Sequence, residues 1–216
     1  TTLFEVSTST FNGQVAGAHN MTVTGNAVFG DATGDTVTLS GTSKNLLVSG
    51  TTQINTSSII VSGTQTYSGA ITLGTSVTLT AAGIVTGSSA TFTMSANNLT
   101  LTTDDITLAG AITGTNTVTI QPRTATTTMG VAGAAGTLAL STAELDLISN
   151  GFAMINLGSL TATGKVTVAA YTFNDHVSLR SAGASSSGIE FTGAVSVGTN
   201  NLTHNTTGNV TQASGA

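Results

Sequence analysis

One short phrase recurs along the chain and limits what it can fold into. Gly69-Ala70-Ile71-Thr72-Leu73-Gly74-Thr75-Ser76-Val77-Thr78-Leu79 returns as Gly110-Ala111-Ile112-Thr113-Gly114-Thr115-Asn116-Thr117-Val118-Thr119-Ile120. It returns again as Gly193-Ala194-Val195-Ser196-Val197-Gly198-Thr199-Asn200-Asn201-Leu202-Thr203. The offsets are close to whole multiples of about 20 to 21 residues, the period of a β-solenoid coil. Each copy is an apolar strand, a Gly-Thr turn and a second strand. None can bury its apolar side chains alone, so each requires a neighbour stacked on it.

Apolar pairs spaced by two recur between these copies: Val37 and Leu39, Ile59 and Val61, Val77 and Leu79, Leu99 and Leu101, Ile106 and Leu108. Alternate residues of a strand share a face. Successive pairs lie about six or seven residues apart, so three fit in a coil of about 20. The spacing predicts an all-β chain, a right-handed parallel β-helix with three short strands per coil. Some ten coils at about 4.8 Å give a rod on the order of 50 Å long. Residues 1–216 read as a single solenoid segment. Thr10-Phe11-Asn12-Gly13-Gln14-Val15 echoes Thr172-Phe173-Asn174-Asp175-His176-Val177, as expected of an excerpt from a longer array. One helix is expected near residues 142–149: Ser141 and Glu144 form a capping box, and Asn150-Gly151 is a stop signal.

Composition agrees. Charged residues make up 6%, against about 25% in an ordinary soluble domain. Mean hydropathy is +0.31, unlike the low hydrophobicity and high charge of disordered chains. The formal charge is −5 and the four cations, Lys44, Arg123, Lys165 and Arg180, are scattered, so nucleic acid is not an expected partner. There is no cysteine, hence no disulfide or thiolate metal site. No run of some 18 apolar residues is present to span a membrane. Strands this short, without aromatic girdles, do not suit a membrane barrel. The start at Thr1 lacks a charged and apolar leader and reads as a processed or excised segment.

Ile120-Gln121-Pro122-Arg123-Thr124-Ala125-Thr126-Thr127-Thr128-Met129-Gly130-Val131-Ala132-Gly133-Ala134-Ala135-Gly136-Thr137-Leu138 resembles a segment of giant bacterial filamentous-haemagglutinin-like and autotransporter-like repeat adhesins. The resemblance continues through Leu140–Ile148, Gly151-Phe152, Ile155–Gly158 and Thr172–Leu179, and into the tail Gly208-Asn209-Val210-Thr211-Gln212. It covers roughly residues 117 to 180 plus the tail, by repeat pattern. The resemblance implies a secreted or cell-surface structural module, an adhesin or biofilm stalk. Its partners would be neighbouring repeats and surface glycans, and no catalytic residue or cofactor comes with it. The alternative is a subunit that stacks end to end into an extracellular fibre.

Other readings attach to individual residues. Asp31 and Asp35, in a Gly/Asp turn, are the candidate Ca²⁺ ligands. Asp104-Asp105 is expected to cap a turn. Asp175, His176 and Ser178 are triad residue types, but contiguity on one strand forbids triad geometry. His19 and His204 lack partners at metal spacing. Nine acidic residues spread over the chain do not form the carboxylate pair of a polysaccharide-acting β-helix. Thr-x-Thr triplets such as Thr36-Val37-Thr38 and Thr117-Val118-Thr119 allow an ice-binding surface if they stack flat. Asn20, Asn55, Asn98, Asn201, Asn205 and Asn209 head Asn-x-Ser/Thr sequons and are the glycosylation candidates.

Overall fold

A computed structural model describes residues 2–4 and 8–213. Residues 1, 5–7 and 214–216, the outermost parts of the expected 1–216 segment, lie outside the described residues. Every strand pairing is parallel, and the chain winds as a β-solenoid of about 9 turns with about 22 residues per turn. The turn is slightly longer than expected because corners vary. Coil partners are 19 residues apart at Asn98 and Thr117, but 25 apart at Asn20 and Asn45, where the Asp31–Asp35 turn is accommodated.

Three faces wrap the core: the first is built of the sheets from Thr2–Phe4 to Asp105–Thr107 and from Leu138–Leu140 to Val210–Gln212, the second of the sheet from Thr8–Phe11 to Ile112–Thr113 and the pair Tyr171–Thr172 with Val195–Ser196. The third face is one unbroken sheet of nine strands: Val15–Gly17, Thr36–Leu39, Ser58–Val61, Val77–Thr80, Leu99–Thr102, Thr117–Gln121, Met154–Ser159, Val177–Ser181 and Leu202–Thr206. Its register aligns Val37, Ile59, Leu79, Leu101, Ile120, Leu157 and Leu179 in one inward row, all buried. The alternation of strand side chains sends the intervening residues outward. They form a second row of Thr36, Ser58, Thr78, Thr100, Thr119, Asn156, Ser178 and Thr203.

The core is mostly aliphatic, with Ser9 and Thr52 buried in the Ala27/Ile71 row and a larger polar inclusion on the first face. Gln65 and Tyr67, on strand Thr64–Tyr67 of the first face, occupy inward positions and are fully buried. The Tyr67 hydroxyl donates to Gln65 Oε1 at 2.8 Å. Gln65 Nε2 donates to the Ile59 and Thr80 carbonyls at 3.0 and 3.1 Å. Burial costs little when each polar atom has a partner. It also raises the Tyr67 phenol well above its ordinary value.

Corners are tied by side chains that reach one coil onward. Asn20 Oδ1 accepts the Asn45 N–H, Asn45 Oδ1 the Thr64 N–H, Asn26 Oδ1 the Thr51 N–H and Asn98 Oδ1 the Thr117 N–H. These bonds satisfy backbone donors that the strand ladders leave over at each bend.

The helix is shorter than expected, Thr142–Leu145, although the Ser141/Glu144 capping box forms. Ile148 bridges Ile112 as a strand residue. The chain must therefore be extended again by that point, and Asn150-Gly151 serves as a corner instead of a helix stop.

Candidate functional site

The regular winding is interrupted once. Asn156 and Thr119, aligned on the third face, are 37 residues apart, because the chain makes an extra excursion on the first face. Strand Met129–Val131 is followed after six residues by Leu138–Leu140, and the two pair in parallel. Sheet order places the later strand beneath the earlier one, as Leu138–Leu140, Met129–Val131, Val166–Val168, Ile189–Phe191, Val210–Gln212. Parallel neighbours ordinarily need a crossover of a dozen or more residues. Here the strands have only three residues each, and the return runs directly over the outer surface of the first.

Glycine permits that return. Ala132 and Gly133 turn the chain with φ of 60° and 81°. A Cβ on Gly130 would lie 2.0 Å from the Ala134 carbonyl oxygen, and one on Gly136 would lie 2.1 Å from the Gly130 nitrogen. Residues 134–136 therefore lie on the strand as a ledge. Thr128 Oγ1 ties down its far end by accepting the Thr137 N–H at 3.1 Å.

Beside the ledge runs a concavity of about 550 Å³ lined by Thr128, Ala135, Gly136, Thr137, Lys165, Thr167, Glu190 and Thr192. Register places Gly130, Thr167 and Glu190 in one outward row, on successive strands. The ledge covers the first, Thr167 forms the floor, and Glu190 stands beyond it. Lys165 Nζ reaches one strand onward to Glu190 Oε2 at 2.6 Å, with side chains 38% and 33% exposed. A second concavity of about 560 Å³ shares Thr128 and Lys165 and continues to Thr126, Thr163, Ser186 and Ser187. The lining is hydroxyl-rich, and the one charged pair cancels itself.

The residues singled out from sequence are occupied locally. Asp35 Oδ2 accepts the Asp31 and Ala32 N–H groups, both at 3.0 Å, and these bonds hold its carboxyl below the ordinary value. Asp31 is exposed on the same turn. No group of three or more His, Cys, Asp or Glu that could hold a metal ion occurs among the described residues. Asp104 caps a turn of the next coil through the Arg123 and Thr124 N–H groups and the Thr124 hydroxyl. Partial burial raises its pKa, but the hydrogen bonds outweigh burial and the net shift is downward.

Asp175, His176 and Ser178 point to separate partners. Asp175 Oδ1 accepts the Gly151 N–H, His176 Nδ1 accepts the Asn201 N–H, and Ser178 Oγ accepts from Arg180 Nε. His19 is exposed, and His204 sits edge-on to Phe191 at 5.2 Å. The outward Thr row of the third face is regular, but the neighbouring row carries Ile60, Gln121 and Arg180, which break a flat hydroxyl lattice. Among the sequons, Asn98, Asn201, Asn205 and Asn209 are exposed while Asn20 and Asn55 are half-buried. The Asn55 amide nitrogen, the atom to which a glycan would be attached, is donated to the Gly30 carbonyl.

Sequence reading passed over Lys165 and Glu190. Their signal is present: in a chain this poor in charge, opposite charges 25 residues apart lie about one coil apart. No family model, curated protein or solved structure matches the chain. Among the described residues, no helix is long and apolar enough to cross a membrane.

Proposed function

We propose that this chain is a structural module of an extracellular bacterial surface or filament protein, a stiff non-catalytic stalk segment. The observation that carries the reading is the unbroken third face. One parallel sheet runs through about 9 turns, while the interruptions fall on the other two. A continuous hydrogen-bonded ladder with interlocked inward rows resists bending, and a chain with only 6% charged residues suits a spacer exposed to changing salt. The equivalent corners at Phe11 and Phe173, each leading from the second face into a third-face strand, fit an array in which the same coil recurs.

A fibre subunit is the second reading, since parallel coils stack in the same way on a neighbouring chain as on a covalent repeat. Val210 is 46% exposed and Leu202, on an inward row, is only half-buried. Another coil stacked there would cover them. Negative-stain electron microscopy of the purified chain separates the two. Monomeric rods about 40 Å long, from nine coils at the strand spacing, support the module. Unbranched filaments support the fibre. Spherical or flexible particles overturn both.

A further inference from the structure

The concavity beside the ledge is unlike the rest of the surface, and its chemistry selects a ligand class. We propose that it is a binding groove for an uncharged oligosaccharide. Three observations converge there. First, the two concavities lie side by side at Thr128 and Lys165, and each crosses three successive coils. Second, their walls carry the hydroxyls of Thr128, Thr137, Thr167, Thr163 and Ser187, a group type that can donate and accept; the Thr163 hydroxyl already donates to the Ala125 carbonyl, and those of Thr128 and Thr137 lie 3.4 Å apart. They are distributed over three successive coils, which suits a ligand whose own hydroxyls are distributed along a chain. Third, Lys165 and Glu190 set a strong donor and a strong acceptor side by side at 2.6 Å, both partly solvent-exposed. Such a pair can bracket one sugar hydroxyl, Lys165 donating to its oxygen and Glu190 accepting its proton.

The same pair disfavours charged ligands. A sulfated or uronic chain meets the Glu190 carboxylate wherever it meets the Lys165 ammonium, and an amino sugar meets the reverse. The methyls of the threonines and the Ala135 side chain supply modest apolar contact. No aromatic ring lines either concavity, so affinity is expected to be weak and to accumulate through repetition on a surface. The groove is separable from the stalk reading: rods that bind no saccharide would leave that reading intact.

The test is backbone amide NMR on the labelled chain titrated with cellohexaose, maltohexaose and linear mannohexaose, with oligogalacturonate and a chitosan hexamer as charged counterparts. At least one neutral hexasaccharide is expected to shift amides within residues 126–137, 163–167 and 186–192, at millimolar or tighter affinity, ahead of both charged chains. Lys165→Met and Glu190→Gln are each expected to weaken that binding about tenfold, the loss of one charge-assisted hydrogen bond. The exchanged pair Lys165→Glu with Glu190→Lys keeps the ion pair and the fold, and is expected to recover part of the affinity. No shift in these segments with any neutral hexasaccharide, shifts scattered over the other faces, tighter binding of a charged chain, or binding indifferent to both single variants would each overturn the proposal.

Discussion

The Gln65–Tyr67 pair offers a quantitative check on how the core is held. Tyr67→Phe keeps the ring, including its edge contact with Phe92 at 6.4 Å and 68°, and removes only the hydroxyl that donates to Gln65 Oε1. That oxygen belongs to a residue with no exposure, so it cannot turn to water. Leaving a buried acceptor unpaired costs about 1–3 kcal/mol. Gln65→Met alone strands the Tyr67 hydroxyl in the same way, at a similar cost of about 1–3 kcal/mol. The double variant removes both polar partners and leaves an apolar row continuous with Leu46 and Ile84, its register neighbours. Its loss should be no larger than that of Gln65→Met alone, because both variants withdraw the Nε2 donor from the Ile59 and Thr80 carbonyls and only the single one also strands the Tyr67 hydroxyl. The expected coupling is therefore about 1–5 kcal/mol, measured by a double-mutant cycle on urea unfolding followed by far-UV circular dichroism. Stacked coils can unfold in parts, so amide hydrogen exchange at residues 64–67 supplies the local reading. Additive losses, within about 0.5 kcal/mol, would refute the claim that the two side chains act as one buried unit.

Three further outcomes follow from the geometry. Gly136→Ala places a methyl 2.1 Å from the Gly130 nitrogen, so the ledge must lift; protease cleavage within residues 132–137 should accelerate, while wild-type resistance would count against the close crossing. Glu144→Ala leaves the Ser141 N-cap bond but removes the carboxylate oxygen that accepts the Ser141 N–H and the one that accepts the Leu108 N–H at 3.1 Å, for an expected loss of about 2 kcal/mol in urea unfolding; a neutral result would mean neither bond matters. In an alkaline titration of phenolate absorbance, burial and then the hydrogen bond to Asp146 raise Tyr171 to about 12, and burial raises Tyr67 further. Each folded-state value lies above the unfolded one, so the stabilisation from Tyr171 is intact below pH 10.0 and is lost as pH rises through about 12; a tyrosine of the folded chain ionising at pH 10.0 would contradict this.

Much of the architecture can be read from residue spacing. Pairs such as Val77/Leu79 and Leu99/Leu101 announce their inward rows because strand side chains alternate and each coil must repeat the pattern to stack. Ser141 and Glu144 announce the cap for a similarly local reason. The helix length was not legible, because a long-range pairing of Ile148 with Ile112 overrides local propensity. Gln65 and Tyr67 were not legible either. Their polarity suggests an exterior position, and only the aligned carbonyls of Ile59 and Thr80 make an interior one affordable. The groove was hidden for a topological reason. Periodicity assigns each strand to the next coil, whereas Met129–Val131 lies one layer ahead of the strand that follows it. The small residues of Gly130–Gly136 are the local trace of that crossing, but they do not say which strand is crossed.

The out-of-order strand also explains how the faces divide the mechanical work. No ladder joins strand Asp105–Thr107 to Leu138–Leu140, and the second face is likewise split and spanned there by the single Ile112–Ile148 bridge. Among the described residues, the third face alone carries a full strand ladder across this level, through Thr117–Gln121 and Met154–Ser159. Glu144 spans the opening on the first face: one carboxylate oxygen holds the Ser141 cap and the other accepts from Leu108. A helix cap thus doubles as a staple between two sheets. Because each coil contacts only its neighbours, the disturbance stays within one level, and the inward rows resume in register at Leu157 and Leu179. The fold can therefore host a ledge on one side without giving up the continuous sheet of the third face.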